Sequence, residues 1–216
     1  MTDITLSIPT GEHSGSLAQE GNMAWAEVVV PLSVNKCIAI FRNRIGHLLR
    51  INPLYEVSEF TDMGAGQYRF RAKNLSNEQE IDTALTVSDT EYGFRIDYSD
   101  EFKMNTELVF EHTDTGAKIR LIEYYPLLSE EEQKQNLEKV DKSLVPWARY
   151  LQEYLVSWRR WSWLAPWRWY MNSIWINMKP SARRITYMLL WITFVEIVAF
   201  LMIFVIFWFE MDKYFD

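Results

Sequence analysis

The chain has 216 residues, 49% hydrophobic and 15% aromatic, with a formal net charge of −7 and one cysteine. The acidic balance excludes a nucleic-acid partner, because phosphate backbones select basic surfaces. The lone Cys37 excludes an internal disulfide, and the first twenty residues hold neither the basic nor the apolar stretch of a secretory signal.

Residues 1–21 are rich in Ser, Thr and Gly without periodicity, which predicts a disordered tail. MAWAEVVV at 23–30 alternates and is β-branched, which predicts a strand closed by Pro31. Ser33 is placed as the N-cap of a helix through VNKCIAIFRN. A second short helix, IGHLLR, should end before Asn52-Pro53, since the residue before proline avoids the helical region. Six strands then follow: YEVSEFTD, QYRFRAKN, EIDTALTVSD, EYGFRIDY, MNTELVFEHT and AKIRLIEYY, separated by Gly, Asn and Asp turns. Tyr68, Phe70 and Ala72 alternate with Arg69 and Arg71, and Tyr92, Phe94, Ile96 and Tyr98 form a second apolar set. Such alternation predicts an antiparallel meander with one dry face. Beyond Pro126, Ser129 and Glu132 fit a capping box opening a helix to about Trp158, with a kink or break at Pro146.

Six of the ten tryptophans fall within residues 158–175: Trp158, Trp161, Trp163, Trp167, Trp169 and Trp175, interleaved with Arg159, Arg160 and Arg168. Indole prefers the wet–dry boundary of a bilayer, and arginine lays its stem on lipid while reaching phosphate. Residues 158–183 therefore read as a collar in the membrane interface, bent where Pro166 interrupts a helix. From Ile185 to Phe209 the only carboxylate is Glu196, and there is no basic residue. As a helix that run spans about 37 Å, enough to cross a bilayer, so 184–210 is assigned as a transmembrane helix and 211–216 as a short tail. Residues 1–150 carry 15 Lys and Arg against 24 Asp and Glu, a net of −9; the last 66 carry 7 against 5, a net of +2. The basic residues lie almost wholly on the N-terminal side of the apolar run. By the positive-inside rule the domain is expected in the cytoplasm and the tail on the opposite side. Thr186, Thr193 and Glu196 share one side of the helix, a polar stripe suited to a neighbouring helix.

One strand, two short helices, six antiparallel strands and a long closing helix give an α+β chain. Over roughly residues 24–158 this order resembles the START-like, helix-grip (SRPBCC) superfamily, the polyketide-cyclase and lipid-transport group. The resemblance rests on VVVPLSVNKCIAIFRN, LLRINPLYEVSEF, the meander and the closing helix. It divides the chain into the tail, a START-like domain at 22–157, the collar, the span and the C-terminal tail. A family of carbon monoxide dehydrogenase accessory proteins is similar in placing an anchor after such a domain, but here no long flexible linker precedes the membrane. The resemblance implies a sheet wrapped around the last helix over an apolar cavity. Tyr68, Phe70, Phe94, Ile96, Leu108 and Phe110 from strands would line it, with Trp147, Tyr150 and Leu151 from the helix. The other reading is that these aromatics fill the core.

Catalytic signals are sparse. His13, His47 and His112 have no metal-ligand spacing, and Gly64-Ala65-Gly66 reads as a turn rather than a phosphate loop. His112 and Glu123 are placed on neighbouring strands as a surface ion pair. Asn74-Leu75-Ser76 matches a glycosylation sequon without meaning in a cytoplasmic domain. The expectation is a non-enzymatic domain that binds or presents a lipid or quinone at the cytoplasmic membrane face. The alternative is an accessory subunit of a larger integral membrane complex. Membrane lipid and other membrane subunits are the expected partners; no metal, nucleic acid or further cofactor is expected.

Overall fold

The computed structural model describes residues 5–7, 23–42, 44–99, 103–125 and 130–212. The predicted strands form, two of them with the predicted bounds and the others within two residues of them: β2 (Met23–Val30), β3 (Tyr55–Gly64), β4 (Gln67–Asn74), β5 (Glu80–Thr90), β6 (Gly93–Tyr98), β7 (Asn105–Thr113) and β8 (Gly116–Tyr124). A three-residue strand β1 (Thr5–Ser7) pairs antiparallel with β2. The expected tail without structure therefore does not hold at these residues, whose backbone covers an otherwise open strand. The rest of 1–21 lies outside the described residues.

All neighbours are antiparallel, in the order β1-β2-β8-β7-β6-β5-β4-β3. Helices α1 (Val34–Phe41) and α2 (Ile45–Ile51) carry the chain from β2 across to the far edge strand β3. Ser33 stands at the N-cap of α1 in an extended conformation but caps through its backbone oxygen, which accepts from the Lys36 and Cys37 amides. The period-two pattern turns Ala24, Ala26, Val28, Phe70, Leu85, Phe94, Ile96, Leu108, Phe110, Ile119 and Leu121 into one buried face. Tyr92, assigned to that face from sequence, is exposed, because β6 begins one residue after it.

Two glycines fix this geometry. Gly66 closes the β3–β4 turn at φ +76°, and a Cβ there would stand 2.8 Å from the Val87 oxygen. At Gly93 a Cβ would stand 1.8 Å from the Leu108 oxygen, so only glycine lets β6 approach β7 so closely. On the outer face the charges pair across strands and, for Arg95 with Asp97, along one strand. Arg69 and Arg71 meet Asp82, Arg95 meets Asp97 and Glu107, and Lys118 and Arg120 meet Glu27 and Glu111.

The closing helix α3 runs unbroken from Glu130 to Trp161, through Pro146. The predicted break is overridden because Leu144, Trp147, Ala148, Leu151 and Leu155 are buried on both sides of the proline. Their packing outweighs the roughly 3 kcal/mol that proline costs a helix interior. The Trp147 indole also donates to the Leu48 carbonyl at 3.2 Å, fastening α3 to α2. Ser129, the predicted cap, lies outside the described residues. The bend comes at 162–164, and Pro166 opens the next helix, α4 (Ala165–Trp169), at its first turn, where its missing N–H costs nothing. A π-helical turn (Tyr170–Ile174) and a 3-10 turn (Trp175–Asn177) follow.

The chain divides into two compact units, Met1–Asn177 and Met178–Asp216. The second is built on a single helix, α5 (Pro180–Asp212), whose stretch Pro180–Glu210 is long and apolar enough to cross a membrane.

Candidate functional site

Along β8 the inward positions read Ala117, Ile119, Leu121 and then Glu123, so a carboxylate ends an otherwise apolar row. It is only 1% exposed. Its answer is Lys103, 3% exposed, in the connection just before β7. The Lys103 ammonium donates to Glu123 Oε1, and the Tyr125 hydroxyl donates to Glu123 Oε2. Lys103 Nζ lies 3.5 Å from the Tyr55 hydroxyl and 5.6 Å from the centre of the Tyr98 ring, with the Tyr55 and Tyr125 ring centres each at 6.0 Å. Tyr98 and Thr106 share a hydroxyl–hydroxyl bond of 3.2 Å. The ends of β6 and β8 and the starts of β3 and β7 thus meet in one polar cluster at one end of the apolar face.

Two charges withdrawn from water are tolerated only when each is paired and its remaining bonds are satisfied. Burial is the largest single influence on Lys103 and favours a neutral amine, but the Glu123 carboxylate and the surrounding Tyr55, Tyr125 and Tyr98 oxygens together more than offset it and hold the ammonium well above its ordinary value. Burial raises the Tyr55 and Tyr125 hydroxyls, the latter strongly and with Glu123 adding to it, and pushes Tyr98 up to about 12. At neutral pH the ammonium and all three phenols keep their protons. Among the described residues the third ammonium N–H and the Tyr55 hydroxyl proton have no acceptor oxygen. With its ammonium and phenols protonated, the cluster is rich in hydrogen-bond donors and has little capacity to move protons.

The nine residues assigned to a cavity all fall on the interior side of this domain. Phe70, Phe94, Ile96, Leu108, Phe110, Trp147 and Leu151 are buried, and Tyr68 and Tyr150 pack half-buried against them. The His112–Glu123 pair does not form. Glu123 stands opposite Thr106 while His112 stands opposite Ala117 at the other end of β7, and the carboxylate points inward. His47 sits on α2, where burial and then the Arg44 and Arg50 charges pull it down to about 4. Asn74 is buried, accepting from the Ser76 amide and hydroxyl at 2.9 and 2.7 Å, so the sequon serves a turn. Among the described residues no cluster of His, Cys, Asp and Glu suits a metal ion.

The Trp/Arg segment separates into two sets. Trp158, Trp167 and Trp175 are half-buried: Trp158 and Trp175 stack on Tyr154 with ring centres at 5.8 Å, and Trp167 lies tilted against Trp158 at 5.6 Å. Trp161, Trp163 and Trp169 are exposed, as are Arg159, Arg160 and Arg168. On α5, Thr186 contacts Met178 Sδ at 3.9 Å, and Thr193 and Glu196 are exposed. Lys103 was missed because a lone lysine in a connection has no pattern. Glu123 did carry a signal, a carboxylate at an inward position of a clean alternation.

No family model and no curated protein matches the chain. Solved structures do. The crystal structure of protein Ms6760 from Mycobacterium smegmatis aligns with a TM-score of 0.50 at 11% identity, covering 71% of this chain and 97% of that one. Protein NE0264 from Nitrosomonas europaea aligns at 0.50 and 8% identity, covering 65% and 98%. A Polyketide_cyc-like protein from Corynebacterium glutamicum aligns more distantly, at 0.41 and 13% identity, covering 66% and 96%. What this chain shares with the first two is a fold: an antiparallel α+β sheet closed by a long helix, the helix-grip arrangement.

Proposed function

We propose that this chain is a membrane-tethered helix-grip domain that binds or presents a lipophilic molecule, a lipid or a quinone, at the cytoplasmic membrane face. The observation that carries the reading is the interior itself, apolar along most of the sheet, with the buried charges among the domain's described residues, Lys103 and Glu123, gathered beside Tyr55 at one end. That is the chemistry of an amphiphile: an apolar body against Phe94, Leu108 and Trp147, and an ester or quinone carbonyl accepting from Tyr55 and Lys103. The apolar helix α5, following the domain in the same chain, supports a position beside the lipid reservoir. Protonated phenols and a paired ammonium favour binding over acid–base catalysis. Native mass spectrometry of the gently extracted protein, with analysis of what it releases, tests the reading. A stoichiometric lipophile, lost in a Lys103→Met/Glu123→Leu variant that stays folded, is the expected result; a folded, empty wild-type domain would overturn it.

Glu196 favours a second reading, an accessory subunit docked on a larger membrane assembly. A carboxylate within an apolar span costs several kcal/mol facing lipid, and Thr193 shares its side of the helix. Under this reading Glu196→Leu releases the chain from its co-purifying subunits; unchanged co-purification would sink it.

A further inference from the structure

Several arginines of the domain are matched: Arg42 with Asp89, Arg69 and Arg71 with Asp82, Arg95 with Asp97, Arg120 with Glu27, Arg149 with Glu153. Arg159, Arg160 and Arg168 have no carboxylate partner among the described residues, although residues 1–150 carry a net charge of −9. Beside them Trp163 is 74% and Trp169 62% exposed, and Arg160 lies 5.3 Å from the Trp161 ring centre. Large indoles left in water next to unmatched guanidinium groups make an amphipathic surface, apolar and positive at once.

We propose that the corner between α3 and α4, formed by Trp161, Trp163 and Trp169 with Arg159, Arg160 and Arg168, docks onto the anionic phospholipid headgroups of a bilayer. The inference rests on reading α5 as the span, and it names the lipid that the domain's own surface engages. Charge complementarity selects the occupant. Guanidinium groups take phosphate oxygens bidentately, and indoles settle at the level of the headgroups. Chain continuity selects it too, since α5 begins eleven residues after Trp169. The inner tryptophans give the corner its fixed form. Trp158 stacks on Tyr154 and Trp167 lies tilted against Trp158; Tyr154 itself meets Phe41 of α1 at 6.2 Å, and Arg44 donates to the Asn172 side chain at 3.0 Å. The exposed set is thus mounted on the domain core, and binding lipid through it fixes the domain as a body.

The test uses the full chain with Ala165→Cys, an exposed position amid the patch, carrying an environment-sensitive fluorophore. Cys37 is fully buried, with its thiol pushed up to about 11, and stays unlabelled. The protein is reconstituted into vesicles of phosphatidylcholine, or phosphatidylcholine with phosphatidylglycerol, each doped with brominated lipid. Quenching at position 165 should be at least about twofold stronger with phosphatidylglycerol, and should fall towards the neutral-lipid value in ~1 M salt, where the screening length shrinks to ~3 Å. Arg159→Gln/Arg160→Gln/Arg168→Gln should remove the difference, and a label at exposed Asp62 should be quenched on neither membrane. Equal quenching at 165 on both membranes, or none, overturns the docking face. Alkaline carbonate extraction of the same vesicles reads the anchor separately. Retention without quenching at 165 refutes the docking face alone, whereas release of the chain refutes the spanning helix and the docking with it.

Discussion

Lys103 and Glu123 carry a cost that only their mutual contact offsets. Removing one partner strands a charge in the interior, so Lys103→Met should lower stability by about 3–5 kcal/mol. Lys103→Met/Glu123→Leu should recover most of that loss, as buried pairs exchanged for apolar side chains usually do. Denaturant unfolding in detergent micelles reads both, and a single variant as stable as the parent would mean that the pair is not desolvated. His47 supplies a pH signature. Its native value near 4 lies below the ordinary 6.5, so between those limits the unfolded chain takes up a proton that the native state refuses. Stability is full above pH 6.5 and falls as pH drops towards 4, by roughly 2 kcal/mol once partial exposure is allowed for. His47→Gln should flatten thermal melts recorded across that window. At this scale sequence is an uneven guide. Phe70, Phe94 and Leu108 announced their burial by alternation, but Lys103 reaches the same interior from a connection that no periodicity covers.

Elements were more legible than residues where the signal is local. A period of two bounded by Gly, Asn and Asp turns located all seven long strands, because pleat and turn chemistry act over a few residues. Pro146 shows where that logic stops. A proline reads as a break in any window of sequence, and only the buried side chains around it, Trp147 above all, keep α3 whole. Pro146→Ala should therefore stabilise the domain by roughly 1–3 kcal/mol, since it restores a hydrogen bond without disturbing packing. A melt unchanged or lowered in that variant would mean that the proline shapes the helix in a way the packing requires. The tryptophan segment was legible in composition but not in role, because the sorting of Trp158, Trp167 and Trp175 onto Tyr154 depends on a fold that brings α1, α3 and the 3-10 turn together.

At the scale of the whole molecule the asymmetry of charge is the governing fact, with cations concentrated just before the apolar run of α5 and carboxylates just after it. If the positive-inside rule holds here, a membrane-impermeant maleimide added to intact cells should label Glu210→Cys and spare Asp62→Cys; the reverse pattern would invert the assigned orientation. Under the proposed tethering, confinement to a membrane plane would also bear on β3, one of the two edge strands of the sheet. Chains held in one layer meet side-on far more often than chains free in solution, and an open strand invites a second sheet to continue it. Here β3 slips register twice, between Val57 and Glu59 and between Asp62 and Gly64, and the Val57 carbonyl is already taken by Arg50 at 3.4 Å. Glu59 and Asp62 stud the same stretch with negative charge. On a tethered domain the crooked, acidic strand would keep crowded chains a population of individuals, each able to pass its neighbours without being stitched to them.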